Sequence, residues 1–256
     1  MHPVLLKIGN VAIYSYGFMI ALGFLLGIVL AMREARRLGE NPEKIMDLSF
    51  YILVAAIIGS RLFYVVTAWD SFADNPFEII KIWKGGLVFY GGFIGAVITA
   101  VVYMRLNRLP LWKTADILAP SLALGQTLGR LGCFLAGCCY GRPSDAPWAV
   151  TFTDQACLAP VNTPLHPTQL YSAFTNLTIF VALLIFSRRN KITGRVFWTY
   201  VLLYGLTRSI IETLRGDFRG AEVFGLLSIS QTLGLTGAAV AIVMLVRVSR
   251  KAYHTE

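Results

Sequence analysis

Seven apolar stretches of about twenty residues, separated by charged turns, constrain this chain more than any other feature. They lie near 11–32, 47–67, 86–105, 113–136, 169–187, 195–214 and 223–247. A hydrocarbon core about 30 Å thick takes about 20 helical residues to cross, at a rise of about 1.5 Å each. Lipid offers no partner for backbone N–H and C=O groups, so stretches of this kind fold as helices. The sequence predicts an all-α integral membrane protein of about seven transmembrane helices, forming one domain over residues 1–256. Composition agrees: 56% of the residues are hydrophobic and 14% charged, against about 25% charged in soluble domains. The net charge of +9 raises nucleic acid as a partner. The basic residues, however, fall in short clusters between apolar runs, as in membrane loops, so no nucleic acid is expected. The opening residues lack a basic run and a small-residue cleavage site, so the first span is expected to be retained.

Lysine and arginine bias in the short loops sets the orientation. Arg33, Arg36, Arg37 and Lys44, then Arg105, Arg108 and Lys113, then Arg188, Arg189, Lys191 and Arg195, then Arg247, Arg250 and Lys251 all fall on one side. The opposite loops hold Lys7, Lys81, Lys84, Arg142 and Arg219, with Arg215 at a helix end. The richer side is cytoplasmic, which places the N-terminus outside and the C-terminus inside. The outer side carries the two longer connections, 68–85 and 137–168. The second holds Pro143, Pro147, Pro160, Pro164, Pro167 and Trp148, and connections of that length are usually functional or disordered.

Glycines punctuate the spans at Gly23, Gly27, Gly91, Gly92, Gly95, Gly125 and Gly129. Small residues let helix backbones approach closely in lipid, and packing accounts for most of them. The group Gly85, Gly86, Gly91 and Gly92 is denser than packing requires and would also leave room for a ligand.

Charge at membrane depth costs roughly 2.5–3.5 kcal/mol even on lenient insertion scales, so such residues usually serve a function. Arg61, Arg130 and Arg208 lie inside predicted spans, all in outer parts, and Tyr16 and Tyr90 reach the same level. Five polar residues from five helices at one depth define a candidate site. Tyr204, Arg208, Glu212 and Arg215 follow spacings of four, four and three, which put them on one helix face. Glu212 can hold the Arg208 guanidinium. An internal ion pair that fixes packing would use the same residues. With Arg61, Arg130, Arg208 and Arg215 facing one obvious carboxylate, an anionic ligand is the better reading, and the planar fork of arginine suits phosphate.

No metal set and no cofactor are expected. His2, His166 and His254 are far apart, and Cys133, Cys138 and Cys139 lack a C-x-x-C pair or a matching histidine pair. Small apolar filling, or a disulfide to Cys157, is the favoured reading of the cysteines.

Five segments in order then resemble a known family. GRLGCFLAGCCYGRP (129–143) resembles the signature of the prolipoprotein diacylglyceryl transferases, and YSYGF (14–18), IWKGGLVFYGGFIG (82–95), HPTQLY (166–171) and YGLTRSIIETLR (204–215) agree with it. The resemblance runs from Tyr16 to Gln231. It implies a multi-pass enzyme of the bacterial cytoplasmic membrane with its site facing the outer leaflet. Its substrates would be phosphatidylglycerol, a membrane lipid, and the lipobox cysteine of prolipoprotein signal peptides. The diacylglyceryl group would pass to the thiol as a thioether, with release of glycerol phosphate. Carried over by position, Arg130 binds phosphatidylglycerol, with Arg61, Gly91, Gly92, Gly141 and His166 as further binding positions. Arg208, Glu212, Tyr16 and Tyr90 form the catalytic set. Three positions depart from the family pattern: Tyr90 stands for histidine, Cys133 for asparagine and Ser172 for glutamate. Either the tyrosine takes over a proton-transfer role, or the histidine is no base. An anion transporter and a non-catalytic assembly factor with an internal ion-pair network are the competing functional classes.

Overall fold

Apolar periodicity becomes helix along most of the chain in the computed structural model, which describes residues 2–9, 11–72, 75–217, 222–223 and 227–253. Arg219 and His254 lie outside the described residues. A short antiparallel hairpin of β1 (Val4–Ile8) and β2 (Val11–Tyr14) precedes α1 (Ser15–Arg37). The first span therefore starts later than its apolar run, because the left-handed Gly9 (φ +59°) reverses the chain and the Ser15 amide is tied to the Pro3 carbonyl (2.9 Å). Next come α2 (Pro42–Thr67), three 3-10 turns between 69 and 84, and α3 (Phe89–Leu106). Gly85 and Gly86, with φ of +88° and +72°, hold α3 back to Phe89. Then follow α4 (Leu111–Ala136), α5 (Thr168–Arg189), α6 (Arg195–Glu212) and α7 (Ile229–Tyr253).

Five of these helices, α1, α2, α3, α5 and α7, are long and apolar enough to cross a membrane. α4 and α6 fall short by that measure; they carry Asp116 and Arg130, and Arg208 and Glu212. The chain divides into two compact units, residues 1–30 with 115–256, and residues 31–114.

In the second unit, Asn41 caps α2 by accepting from the amides of Glu43 (2.8 Å) and Lys44 (3.3 Å), which relieves two otherwise unpaired donors. α2 and α3 then cross with almost no side chain between them. A Cβ on Gly91 would come within 2.3 Å of the Gly59 carbonyl oxygen, and one on Gly92 within 2.9 Å of that of Ala56. Close packing thus accounts for both glycines.

In the first unit, α1 meets α4 through Gly23 and Gly125, and Gly132 packs on the backbone of Tyr16. Ala119 and Ala123 of α4 share a core with Ile179 and Leu183 of α5 and Val196 and Tyr200 of α6. The connection 137–168 is folded. It pairs β3 (Val150–Thr151) with β4 (Pro164–Leu165) and buries Phe152, Ala159 and Leu165 as a core of its own.

Candidate functional site

The ends of α4 and α6 gather the charge of the first unit. Arg208 and Glu212, one turn apart on α6, are both buried and form an ion pair. Ser228, just before α7, donates to Glu212 Oε1 (3.2 Å), and Gln231 reaches back to the Ser209 carbonyl (3.4 Å), so α7 fixes this face of α6. The spacing read from the sequence is correct as far as Glu212. Arg215 lies past the end of the helix and is held otherwise: its Nε and Nη2 grip Asp217 at 2.8 and 2.6 Å, while Glu212 is 3.9 Å away. Burial lowers the affinity of Arg215 for its proton, but the hydrogen-bonded Asp217 and the neighbouring Cys139 more than offset this, so its pKa rises. Asp217 is the carboxylate that sequence reasoning missed. It follows the helix, where periodicity no longer says what faces what.

Arg130, near the end of α4, interacts electrostatically with Tyr204, Cys139, Cys133 and Arg215. Tyr16, in the first turn of α1, feels Arg130 and the three signature cysteines. The structure thus brings together Tyr16, Arg130, Tyr204, Arg208, Glu212 and Arg215. Three guanidiniums face two carboxylates, and both carboxylates are engaged by Arg208 and Arg215. Among the described residues, the partly buried Arg130 guanidinium has neither a hydrogen bond nor an ion pair. Such a group in a low-dielectric setting calls for an anion.

The signature loop is stitched down on both sides. α4 ends at Gly137 (φ +72°), and the Cys138 amide turns back to the Cys133 carbonyl (3.0 Å). Buried Thr168 and Gln169, at the start of α5, donate to the carbonyls of Cys139 (2.9 Å) and Cys138 (2.8 Å). Gly141 donates to the His166 carbonyl (3.0 Å), and the amides of Arg142 and Gly216 pair with the carbonyls of Leu214 and Tyr140. A Cβ on Gly141 would lie 2.5 Å from the His166 oxygen, so only glycine fits there. His166 itself contacts the Tyr171 hydroxyl through Nδ1 (3.2 Å), and that hydroxyl accepts from Trp148 Nε1 (2.7 Å). Ser172 is buried and donates to the Thr168 carbonyl (2.8 Å), one turn back on its own helix. None of the four cysteines forms a disulfide; Cys157 lies over Gly137 instead.

Arg61, Tyr90, Gly91 and Gly92 belong to the other unit. Arg61 is buried there and donates from Nε to Ile79 (2.8 Å), from Nη1 to Gly85 (2.7 Å) and Gly86 (3.2 Å), and from Nη2 to Glu78 (2.6 Å), all carbonyls. Tyr64 and Phe72 lie beneath its guanidinium. Its charge organises the loop at 76–86. The same packing fills the space at Gly86, where a Cβ would meet Tyr64. Tyr90, in the first turn of α3, is 42% exposed and touches Phe89 edge to face. Asp116, in the second turn of α4, caps α6: it accepts from the amides of Gly194 (2.5 Å) and Phe197 (2.8 Å).

Fold and charge together define a multi-pass membrane protein that gathers three guanidiniums and two carboxylates at the ends of two polar helices. The family model for prolipoprotein diacylglyceryl transferase matches residues 3–247, and the chain belongs to that family. It is 41% identical over 235 residues to the phosphatidylglycerol–prolipoprotein diacylglyceryl transferase of Clostridium tetani, covering 92% of this chain and 93% of that one. Proteins of the same name from a Nostoc species (36% identical, 94% and 87% covered) and from Listeria innocua (35%, 92% and 88%) are similar throughout.

Proposed function

We propose that this chain transfers the diacylglyceryl group of phosphatidylglycerol to the lipobox cysteine of prolipoproteins, releasing glycerol phosphate. Family membership and the names of the relatives support the reaction. The observation in this molecule that carries the reading is Arg130, an uncompensated guanidinium beside the Arg208–Glu212 pair. We place the reaction in the outer half of a seven-span protein of the bacterial cytoplasmic membrane, with the N-terminus outside and the C-terminus inside. Loop charge supports that orientation, and a single catalytic domain fits motifs spread over the whole chain.

The acceptor thiol, with an ordinary pKa near about 8.5, is mostly protonated at neutral pH and needs activation. Nearby guanidiniums favour its thiolate. The sulfur attacks the glycerol carbon that bears the phosphate ester; the C–S bond forms as the C–O bond breaks, and the electron pair leaves on glycerol phosphate. Arg130 and Arg208 hold that phosphate as its charge grows, a contribution of about 3–4 kcal/mol per donor in comparable oxyanion sites. Glu212 orients Arg208, and Tyr16 flanks the head group. The parts carried over for Tyr90, Arg61, Gly91 and Gly92 rest on motif position, and those for Gly141 and His166 on the stitched loop.

Arg130→Ala and Arg208→Ala in purified protein test the assignment, with thioether formation on a lipobox peptide as the readout. Loss of turnover by at least about 100-fold, with the helical circular-dichroism signal kept, is expected. Near-normal turnover in either variant contradicts the phosphate roles.

A further inference from the structure

Three thiols meet where α4 ends. Cys133 is buried in the last turns of the helix, Cys138 and Cys139 follow the break at Gly137, and the three sulfur atoms lie within 4.8 Å of one another. Neighbouring side chains on an extended segment point to opposite sides. Here the backbone of Cys139 is left-handed (φ 62°), a conformation that side-chain-bearing residues rarely adopt, and both thiols face the same cluster. The conformation is fixed from outside by Thr168 and Gln169 on the two cysteine carbonyls. Arg130 and Arg215 supply positive charge beside it. Simple core filling needs neither a left-handed cysteine nor two buried side chains bonded to its flanking carbonyls.

We propose that Cys133, Cys138 and Cys139 bind one thiophilic cation, zinc(II) in the first instance, as a three-thiolate set whose remaining position takes the acceptor thiol. Tetrahedral zinc with bonds to sulfur of about 2.3 Å sets the sulfurs about 3.8 Å apart, so the thiols have to close by no more than about 1 Å. Three protein ligands with one exchangeable position is the pattern of zinc sites that perform chemistry, whereas structural sites use four. The cation offsets most of the charge of three thiolates in a poorly solvated place, Arg130 lies beside them, and metal coordination keeps thiols deprotonated. The second half of the proposal rests on the transfer reading above. The acceptor thiol releases its proton to solvent on coordination. Its sulfur then attacks the glycerol carbon, the C–O bond breaks toward phosphate, and the metal keeps its oxidation state. A thiolate is thus supplied without the histidine that Tyr90 replaces.

Metal analysis and cobalt substitution on the full-length protein in detergent test this. One zinc per chain is expected as purified or after reloading chelator-stripped protein. Cobalt(II) in its place should give a thiolate-to-cobalt charge-transfer band and the intense visible bands of tetrahedral coordination. Cys133→Ser and Cys139→Ser should each weaken binding by at least about 100-fold, beyond what loss of an outer-shell partner causes, while Cys157→Ser binds normally. The wild-type spectrum keeps the test independent of how the variants fold. A lipobox peptide should add charge-transfer intensity that its Cys→Ser counterpart does not. Failure of wild-type protein to bind zinc or cobalt overturns the proposal, and a spectrum unchanged by bound cysteine peptide overturns its acceptor half. Undiminished transfer by metal-free protein sinks the acceptor half and leaves the transfer reading standing. Metal binding without transfer under any condition supports the three-thiolate set and sinks the transfer reading.

Discussion

Arg61 and Arg130 are the same side chain in two long helices, and their surroundings assign them different work. The Arg61 donors converge on four backbone carbonyls of one loop; Arg130 has no such partners among the described residues. A lysine at 61 presents one ammonium to four acceptors spread around a planar fork and cannot replace it. Arg61→Lys is therefore expected to lower stability by about 1.5–3 kcal/mol, the scale of lost hydrogen bonds to a charged group. Amide exchange at 76–86 should quicken, whereas Arg130→Lys leaves exchange there unchanged. Equal exchange in both variants would contradict the division. Sequence alone could place both arginines in spans but could not separate them, because the acceptors of Arg61 come from a segment with no periodicity to read. The left-handed Cys139 was hidden for the same reason. Nothing in a C-C dipeptide says that its two thiols turn the same way.

At the scale of elements, α4 and α6 carry the polar side chains and depend on each other. Asp116 of α4 takes up two amides at the start of α6, a cap made more valuable by the burial of its carboxylate. Asp116→Ala should cost about 1–2 kcal/mol through loss of the cap and of the favourable charge at the helix start. The measurement is a lowered Tm with an unchanged KM for phosphatidylglycerol; an unchanged Tm, or a shift in KM alone, would contradict the capping role. The α6 face was legible because spacings of four and four on a helix force Tyr204, Arg208 and Glu212 into line. It stopped being legible at Thr213, where the helix ends and Arg215 swings to Asp217. Helix boundaries moved for local reasons as well, with Gly9 delaying α1 and Gly85–Gly86 delaying α3.

Over the whole molecule, long apolar helices were evident from hydropathy, since lipid allows little else. The two helices that miss the apolar standard are the ones that build the charged cluster, α4 and α6. A site for an anionic lipid head group has to be made from such helices, shielded by their neighbours. Beside that cluster, the folded connection 137–168 holds the signature loop between α5 and the segment after α6. An anion transporter would need the polar path to continue through the other half of the bilayer, but Asp116 there is occupied by backbone amides. The most direct measurement is mass spectrometry of a lipobox peptide incubated with the purified protein and phosphatidylglycerol. The peptide should gain one diacylglyceryl unit on its cysteine, with one equivalent of glycerol phosphate released. An unmodified peptide in the presence of folded protein and lipid would contradict the transfer reading.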